Sequence, residues 1–125
     1  MVFIIMLEWS SCLFATVVMT AYYKQCAVYH HVFLLLTVSS ILFHCQHHEV
    51  VRKIDKVLAH LSYILVLLDT PKALAAHAAW LLVFPFLAGC AWFGQSFWPE
   101  RSEHLHLALH LIGVCGMQVY LFVLY

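Results

Sequence analysis

Long apolar runs, each close to the length needed to cross a bilayer, alternate with short polar clusters along the whole chain. A membrane-spanning helix needs ~20 mostly apolar residues, and the pattern predicts about five of them. The first runs from about Val2 to Tyr22 and ends at Tyr23-Lys24-Gln25; the second runs from about Val28 to Cys45 and ends at Gln46-His47-His48-Glu49. The third begins in the basic cluster Arg52-Lys53-Ile54-Asp55-Lys56 and reaches Leu68. Asp69-Thr70-Pro71-Lys72 then predicts a turn, with the proline placed to open the next helix. That fourth helix covers about Ala73 to Phe97, with a kink expected at Pro85, whose ring removes a backbone donor. Residues 98–103 form the last loop, and the fifth helix begins at about His104. Because the runs are continuous rather than alternating at every second residue, they predict helices and not barrel strands. The expected fold is an all-α integral membrane bundle, one domain over residues 1–125, with consecutive helices antiparallel across short loops.

Composition sharpens this picture. Hydrophobic residues make up 65% of the chain and charged residues 10%, whereas a soluble domain is about half apolar. The formal net charge is zero with histidine neutral, which argues against a nucleic-acid partner, and no polybasic run marks a surface for anionic lipid. The cysteines at 12, 26, 45, 90 and 115 are scattered singly, so they are expected to be reduced core residues rather than a disulfide framework. The first apolar stretch lacks a positive n-region and outruns a short h-region, which predicts a retained span rather than a cleaved signal.

Ten histidines are the anomaly. His106 and His110 lie one turn apart on one helical face, as two neighbouring ligands of one metal require. Thr37, Ser40, His44 and His48 form a polar stripe on the second helix, and Asp55, Ser62 and Asp69 form another on the third. In a lipid setting both stripes must face protein. Alternating spans put His44, Asp55 and His106 on one membrane face, together with Arg52, Lys53, Lys56 and Arg101 against Lys24 and Lys72, a bias that favours a cytosolic site. His30 and His31 belong to the opposite face, where an interfacial role is expected. His47, His48 and His104 are near enough to orient ligands or simply to be solvated. The aromatic-rich fourth helix reads as a lipid-facing or packing surface.

An ionisable group inside a bilayer is costly and is by default a functional hypothesis. Three histidines leave one position open on a tetrahedral zinc ion, and zinc lowers the pKa of a bound water to about 7. Asp55 could then move that water's proton, while Ser40 steadies the water or the oxyanion formed at a carbonyl. The chemistry expected is hydrolysis of an amide or ester. Against this stand plainer readings, in which Asp55 joins an interfacial ion-pair cluster and Ser40 back-bonds to a carbonyl one turn earlier.

The combination of Ser39-Ser40-Ile41-Leu42-Phe43-His44, Arg52-Lys53-Ile54-Asp55 and His106-Leu-Ala-Leu-His110-Leu-Ile-Gly113 resembles the CREST superfamily of membrane hydrolases. That superfamily includes alkaline ceramidases, lipases that remodel glycosylphosphatidylinositol anchors, adiponectin-type receptors and haemolysin III proteins. The resemblance implies zinc (Zn2+) on His44, His106 and His110, with Asp55 and Ser40 as the catalytic pair, a ceramide- or phospholipid-like membrane substrate and residence in endomembranes such as the ER or Golgi. The family has seven spans where this chain has room for about five, which leaves a wall to be supplied by other means, a homo-oligomer among them. Two further readings stay open: a non-catalytic receptor-like or haemolysin-like relative with structural zinc, and a haem carrier using histidines from two helices, which the closeness of His106 and His110 disfavours.

Overall fold

The computed structural model describes residues 2–46 and 49–125, with side chains for 9–43 and 49–125. It is all-α among these residues. Five long helices, α1 (Val2–Tyr23), α2 (Ala27–Gln46), α3 (Glu49–Leu68), α5 (Val83–Phe97) and α6 (Ser102–Leu124), are joined by a short α4 (Thr70–Ala75) and two single 3-10 turns at Ala79–Leu82 and Pro99–Arg101. Around the bundle the long helices follow the order α3, α2, α1, α6, α5, and the ring closes through a narrow seam between α3 and α5.

Among the described residues three helical segments are long and apolar enough to cross a membrane: Glu49–Ala75, Ala79–Phe97 and Pro99–Leu124. The distribution of side chains agrees. Large apolar groups such as Leu68, Phe86, Phe93 and Phe122 point outward, while Ser10, Ser11, Ser40, Asp55 and His110 are buried. Such an inside-out arrangement is stable only in an apolar solvent, so this is a membrane protein.

The core lies where α1, α2 and α6 meet. Phe14, Val17 and Ala21 from α1 pack on Tyr29, Phe33 and Leu36 from α2 and on Val114, Met117 and Leu121 from α6, each set at the three- and four-residue spacing of one helical face. Lipid tails are as apolar as these side chains, so close packing and interhelical hydrogen bonds hold the helices together. Gly116 allows one such approach, since a Cβ there would stand 2.8 Å from the Phe84 Cβ. Gln118 on α6 accepts from Thr20 at 2.7 Å and donates to Thr16 at 2.9 Å, which ties α6 to α1 through a fully used carboxamide. At the seam, Tyr63 of α3 donates to the Pro85 carbonyl at 3.1 Å.

The expected fourth helix is broken, and the break is at His77 rather than Pro85. His77 has φ 55°. The Ala78 N–H donates to the Ala73 carbonyl at 2.8 Å and the His77 N–H to Leu74 at 3.1 Å. This is the Schellman pattern that ends a helix, with the apolar Ala73 and Ala78 buried beside each other in sequence register. Pro85 falls in the first turn of α5, where its missing donor has no intrahelical partner to lose. The same pattern closes α1 at Gln25, φ 57°, where Cys26 N–H reaches the Ala21 carbonyl at 2.8 Å.

The cysteines also depart from expectation. Cys26 is buried and its thiol is pushed above its ordinary range by that burial, but Cys12, Cys90 and Cys115 lie on the outer surface. A bilayer makes that surface apolar, so a small apolar side chain is as comfortable outside as in. Cys45 lies outside the described side chains.

Candidate functional site

The ring borders a half-open cavity of about 800 Å³, and Ser40, Asp55, His106 and His110 all line it. This lies within the ~300–1,000 Å³ range of sites that hold a small-molecule ligand. Each of these residues arrives there through its helical face. Thr37 and Ser40 are buried on α2, and Asp55 and Ser62 are buried on α3, as the polar stripes required.

On α6 the two imidazoles meet directly, with Nε2 of His106 3.0 Å from Nε2 of His110. Two nitrogens bound to one tetrahedral zinc at ~2.0–2.1 Å would stand roughly 3.3 Å apart, so the pair is already near a chelating geometry. His110 is fixed on its other side: Nδ1 lies 2.8 Å from the Ser10 hydroxyl, and the Phe14 ring abuts the imidazole edge-on at 5.3 Å. A histidine ligand ordinarily has such a partner on its second nitrogen, which sets its tautomer and ring angle.

Asp55 is 9% exposed and accepts a 3.1 Å hydrogen bond from the Ser39 hydroxyl across the α2–α3 interface. The ion pair described nearby joins Arg52 to Glu49 at 3.6 Å and does not include Asp55. Ser40, 1% exposed, contacts the Ser11 hydroxyl at 2.9 Å, a cross-helix partner on α1. The back-bond to the preceding turn is made instead by Thr37 to Phe33, while the single Ser39 proton is shared between Asp55 and the Leu36 carbonyl, each at 3.1 Å.

His44 lies on α2, one turn after Ser40, but its side chain is outside the described residues, as are His47 and His48. Among the described residues no group of three or more metal-binding side chains converges, so the described part of the proposed ligand set is the His106–His110 pair. His30 and His31 stand at the other end of α2 with their rings 5.2 Å apart, and His60 packs edge-on against Trp92 at 4.8 Å.

Sequence reasoning did not anticipate the serines that support the site. Ser10, Ser11 and Ser39 each engage a predicted site residue. The signal was present as two serine pairs, 10–11 and 39–40, each set inside an apolar helix where a hydroxyl needs a partner.

The opposite end of the bundle carries a second polar group. Asp69 accepts from Tyr29 at 2.6 Å and from Tyr125 at 2.7 Å, and the Lys72 ammonium sits 3.4 Å from the centre of the Tyr125 ring. These contacts tie the α3–α4 corner to the start of α2 and the end of α6.

Comparison with known proteins adds no relative to this geometry: no family model, no curated protein and no solved structure matches the chain.

Proposed function

We propose that this protein is a shortened relative of the CREST hydrolases, a zinc-dependent enzyme that cleaves an amide or ester bond of a membrane lipid. One observation carries the reading. Four residues of the expected set line a single cavity, and two of them are imidazoles whose ε nitrogens are 3.0 Å apart. The donor set suits the metal, since neutral imidazoles with a supporting hydroxyl are ordinary zinc ligands.

His106 and His110 would hold the ion, with His44 as the third ligand. A zinc ion bound there would supply Lewis-acid activation of water at neutral pH. The remaining chemistry belongs to the chain. With Asp55 Oδ1 engaged by Ser39, Oδ2 takes a proton from the attacking water and returns it to the leaving nitrogen or oxygen. The hydroxyl of that water bonds to the acyl carbon as the bond to the leaving group breaks, so the products are a carboxylic acid and an amine or alcohol. Ser40 would donate its proton to the carbonyl oxygen, where negative charge develops, leaving Ser11 as the donor of the 2.9 Å contact between the two hydroxyls. The cavity continues from His106 to Tyr120, roughly 21 Å along α6 at ~1.5 Å per residue, enough for one long acyl chain. Five spans, with the site toward the cytosol of an endomembrane, complete the reading.

Elemental analysis of detergent-purified protein tests it. About one zinc per chain is expected, lost in His106→Ala/His110→Ala, together with lipid turnover that Asp55→Asn abolishes while zinc stays bound. Zinc without turnover in the wild type would make the protein a non-catalytic relative. A folded sample that takes up no zinc would end the hydrolase reading.

A further inference from the structure

The lining of the cavity changes character along the bundle. Its exposed members come from α3 and the second half of α5, with Arg52, Lys56 and His60 on one helix and Phe93 and Ser96 on the other. Phe33, Leu81 and Met117, farther from that end, line it too and are buried. The cavity therefore opens where polar groups gather and closes on apolar ones. An occupant that matches this gradient has a polar head at the opening and an apolar tail within.

Antiparallel packing decides what the head meets. His60 lies edge-on to Trp92 at 4.8 Å and Tyr63 donates to the Pro85 carbonyl at 3.1 Å, so α3 and α5 run in opposite directions. Lys56, one turn before His60, is thereby level with Ser96, one turn after Trp92. Arg52 follows one turn further out on the same face as Lys56, since residues four apart share a face. Across the α5–α6 hairpin Gly94 packs on Leu105, which sets the level of Lys56 and Ser96 about one turn beyond His106.

Besides histidines, four charged side chains line the cavity: Glu49, Arg52, Asp55 and Lys56. Asp55 is turned toward α2 by its hydrogen bond from Ser39. Glu49 stands 3.6 Å from one Arg52 nitrogen, an exposed pair of small energetic weight that leaves the rest of the guanidinium fork open. Among the described residues Lys56 has no carboxylate within ion-pair distance. Lys53, also exposed on this turn of α3, does not line the cavity.

We propose that Arg52 and Lys56 bind the phosphate of a lipid headgroup, with the acyl chain of that lipid held in the cavity beyond them. A phosphate accepts from a guanidinium bidentately and meets an ammonium as a point charge, so the two cations suit one such group. Of the two substrate classes the hydrolase reading allows, this selects phospholipid over ceramide. The bond that is cut rests on that reading, but the headgroup contact needs no metal. Basic residues near helix ends also touch headgroups without selecting a ligand. Lys53 separates the two cases, because it has the charge and the level of its neighbours but not the cavity.

The test is equilibrium binding of radiolabelled palmitoyl lysophosphatidate and of monopalmitoylglycerol, which differ by the phosphate, to the full chain in maltoside micelles with a zinc chelator present. Wild type should bind the phosphate-bearing lipid about three- to tenfold more tightly at low salt, the range two exposed ion pairs supply, and lose most of that preference at high salt. Lys56→Gln, alone or with Arg52→Gln, should lose the preference, whereas Lys53→Gln and the charge-keeping Lys56→Arg retain it. No preference in the wild type, a preference that survives in the folded double variant, or an equal loss in Lys53→Gln overturns the proposal. So does inorganic phosphate binding alone as tightly as the lipid, which would make this a site for the free ion. The zinc content of the same samples without chelator keeps the two readings apart. Zinc without the preference leaves the hydrolase and removes the headgroup site, and the preference without zinc does the reverse.

Discussion

Ser10 is a residue whose importance comes wholly from where α1 meets α6. Its hydroxyl lies 2.8 Å from His110 Nδ1, so it sets which nitrogen of that imidazole is left to face His106. Ser10→Ala should lower zinc affinity or turnover by about 10–100-fold without unfolding the bundle, the usual effect of removing the partner of a metal-binding histidine. Competition with a zinc chelator measures it, and an unchanged affinity would show that the ring is oriented without the Ser10 hydroxyl. The histidines, Asp55 and Ser40 were legible as candidates because polar groups in an apolar helix demand an explanation. Their partners were not, because a serine one hundred residues away in sequence from His110 becomes its neighbour only through helix packing.

Among the elements, the broken fourth segment carries the main departure from the sequence pattern. Nothing in Ala75-Ala76-His77-Ala78 is a helix breaker, and Pro85 a few residues later drew the expectation of a kink. The break is selected by burial of Ala73 at 0% and Ala78 at 3% exposure, which brings the two ends of the Schellman turn into the core and leaves His77 in the left-handed region. Gln25 occupies the same position at the end of α1, and both side chains are exposed. A left-handed conformation costs a residue with a Cβ roughly 1–2 kcal/mol, and glycine returns part of that as backbone entropy. His77→Gly and Gln25→Gly should each stabilise the bundle by about 0.5–1 kcal/mol, read as a shifted unfolding midpoint in mixed micelles. A loss of stability would mean that the side chains at these turns make contacts worth more than the strain.

For the whole molecule, two polar centres sit at opposite ends of one ring of helices. The histidine pair and Asp55 line the cavity toward one end, while Asp69 with Tyr29, Tyr125 and Lys72 forms a group at the other end of the bundle. The second centre is a fastening, since Asp69 joins α2, the α3–α4 corner and α6 through two hydrogen bonds to one carboxylate oxygen. Burial and the hydrogen bond to Asp69 raise the Tyr125 phenol, which keeps it a donor across the ordinary pH range. Hydrogen bonds to a charged group contribute roughly 1.5–3 kcal/mol, so Asp69→Ala should destabilise the bundle by about that much. Zinc content should be unchanged in the folded fraction, because Tyr125, where Asp69 meets the end of α6, lies roughly 22–28 Å along that helix from the histidine pair. Loss of zinc from folded Asp69→Ala protein would show that the two ends are coupled.

The helical content, the membrane setting and the inward direction of the polar stripes follow from local information. Hydropathy and a 3.6-residue period act within one segment, and a bilayer allows few alternatives for a long apolar run or for a serine and an aspartate placed within it. The ring order of the helices, the turn at His77, the outward cysteines and the serine partners of His110, Ser40 and Asp55 depend on contacts between segments far apart in the chain. So does the cavity itself. Its size is set by how closely α3 approaches α5 across the Tyr63–Pro85 hydrogen bond, and its chemistry by which side chains that spacing leaves facing inward. Gln95 and Gln118 illustrate the distinction. They are chemically identical and sit in similar apolar helices, yet packing satisfies one carboxamide with two threonines and leaves the nitrogen of the other buried without a partner.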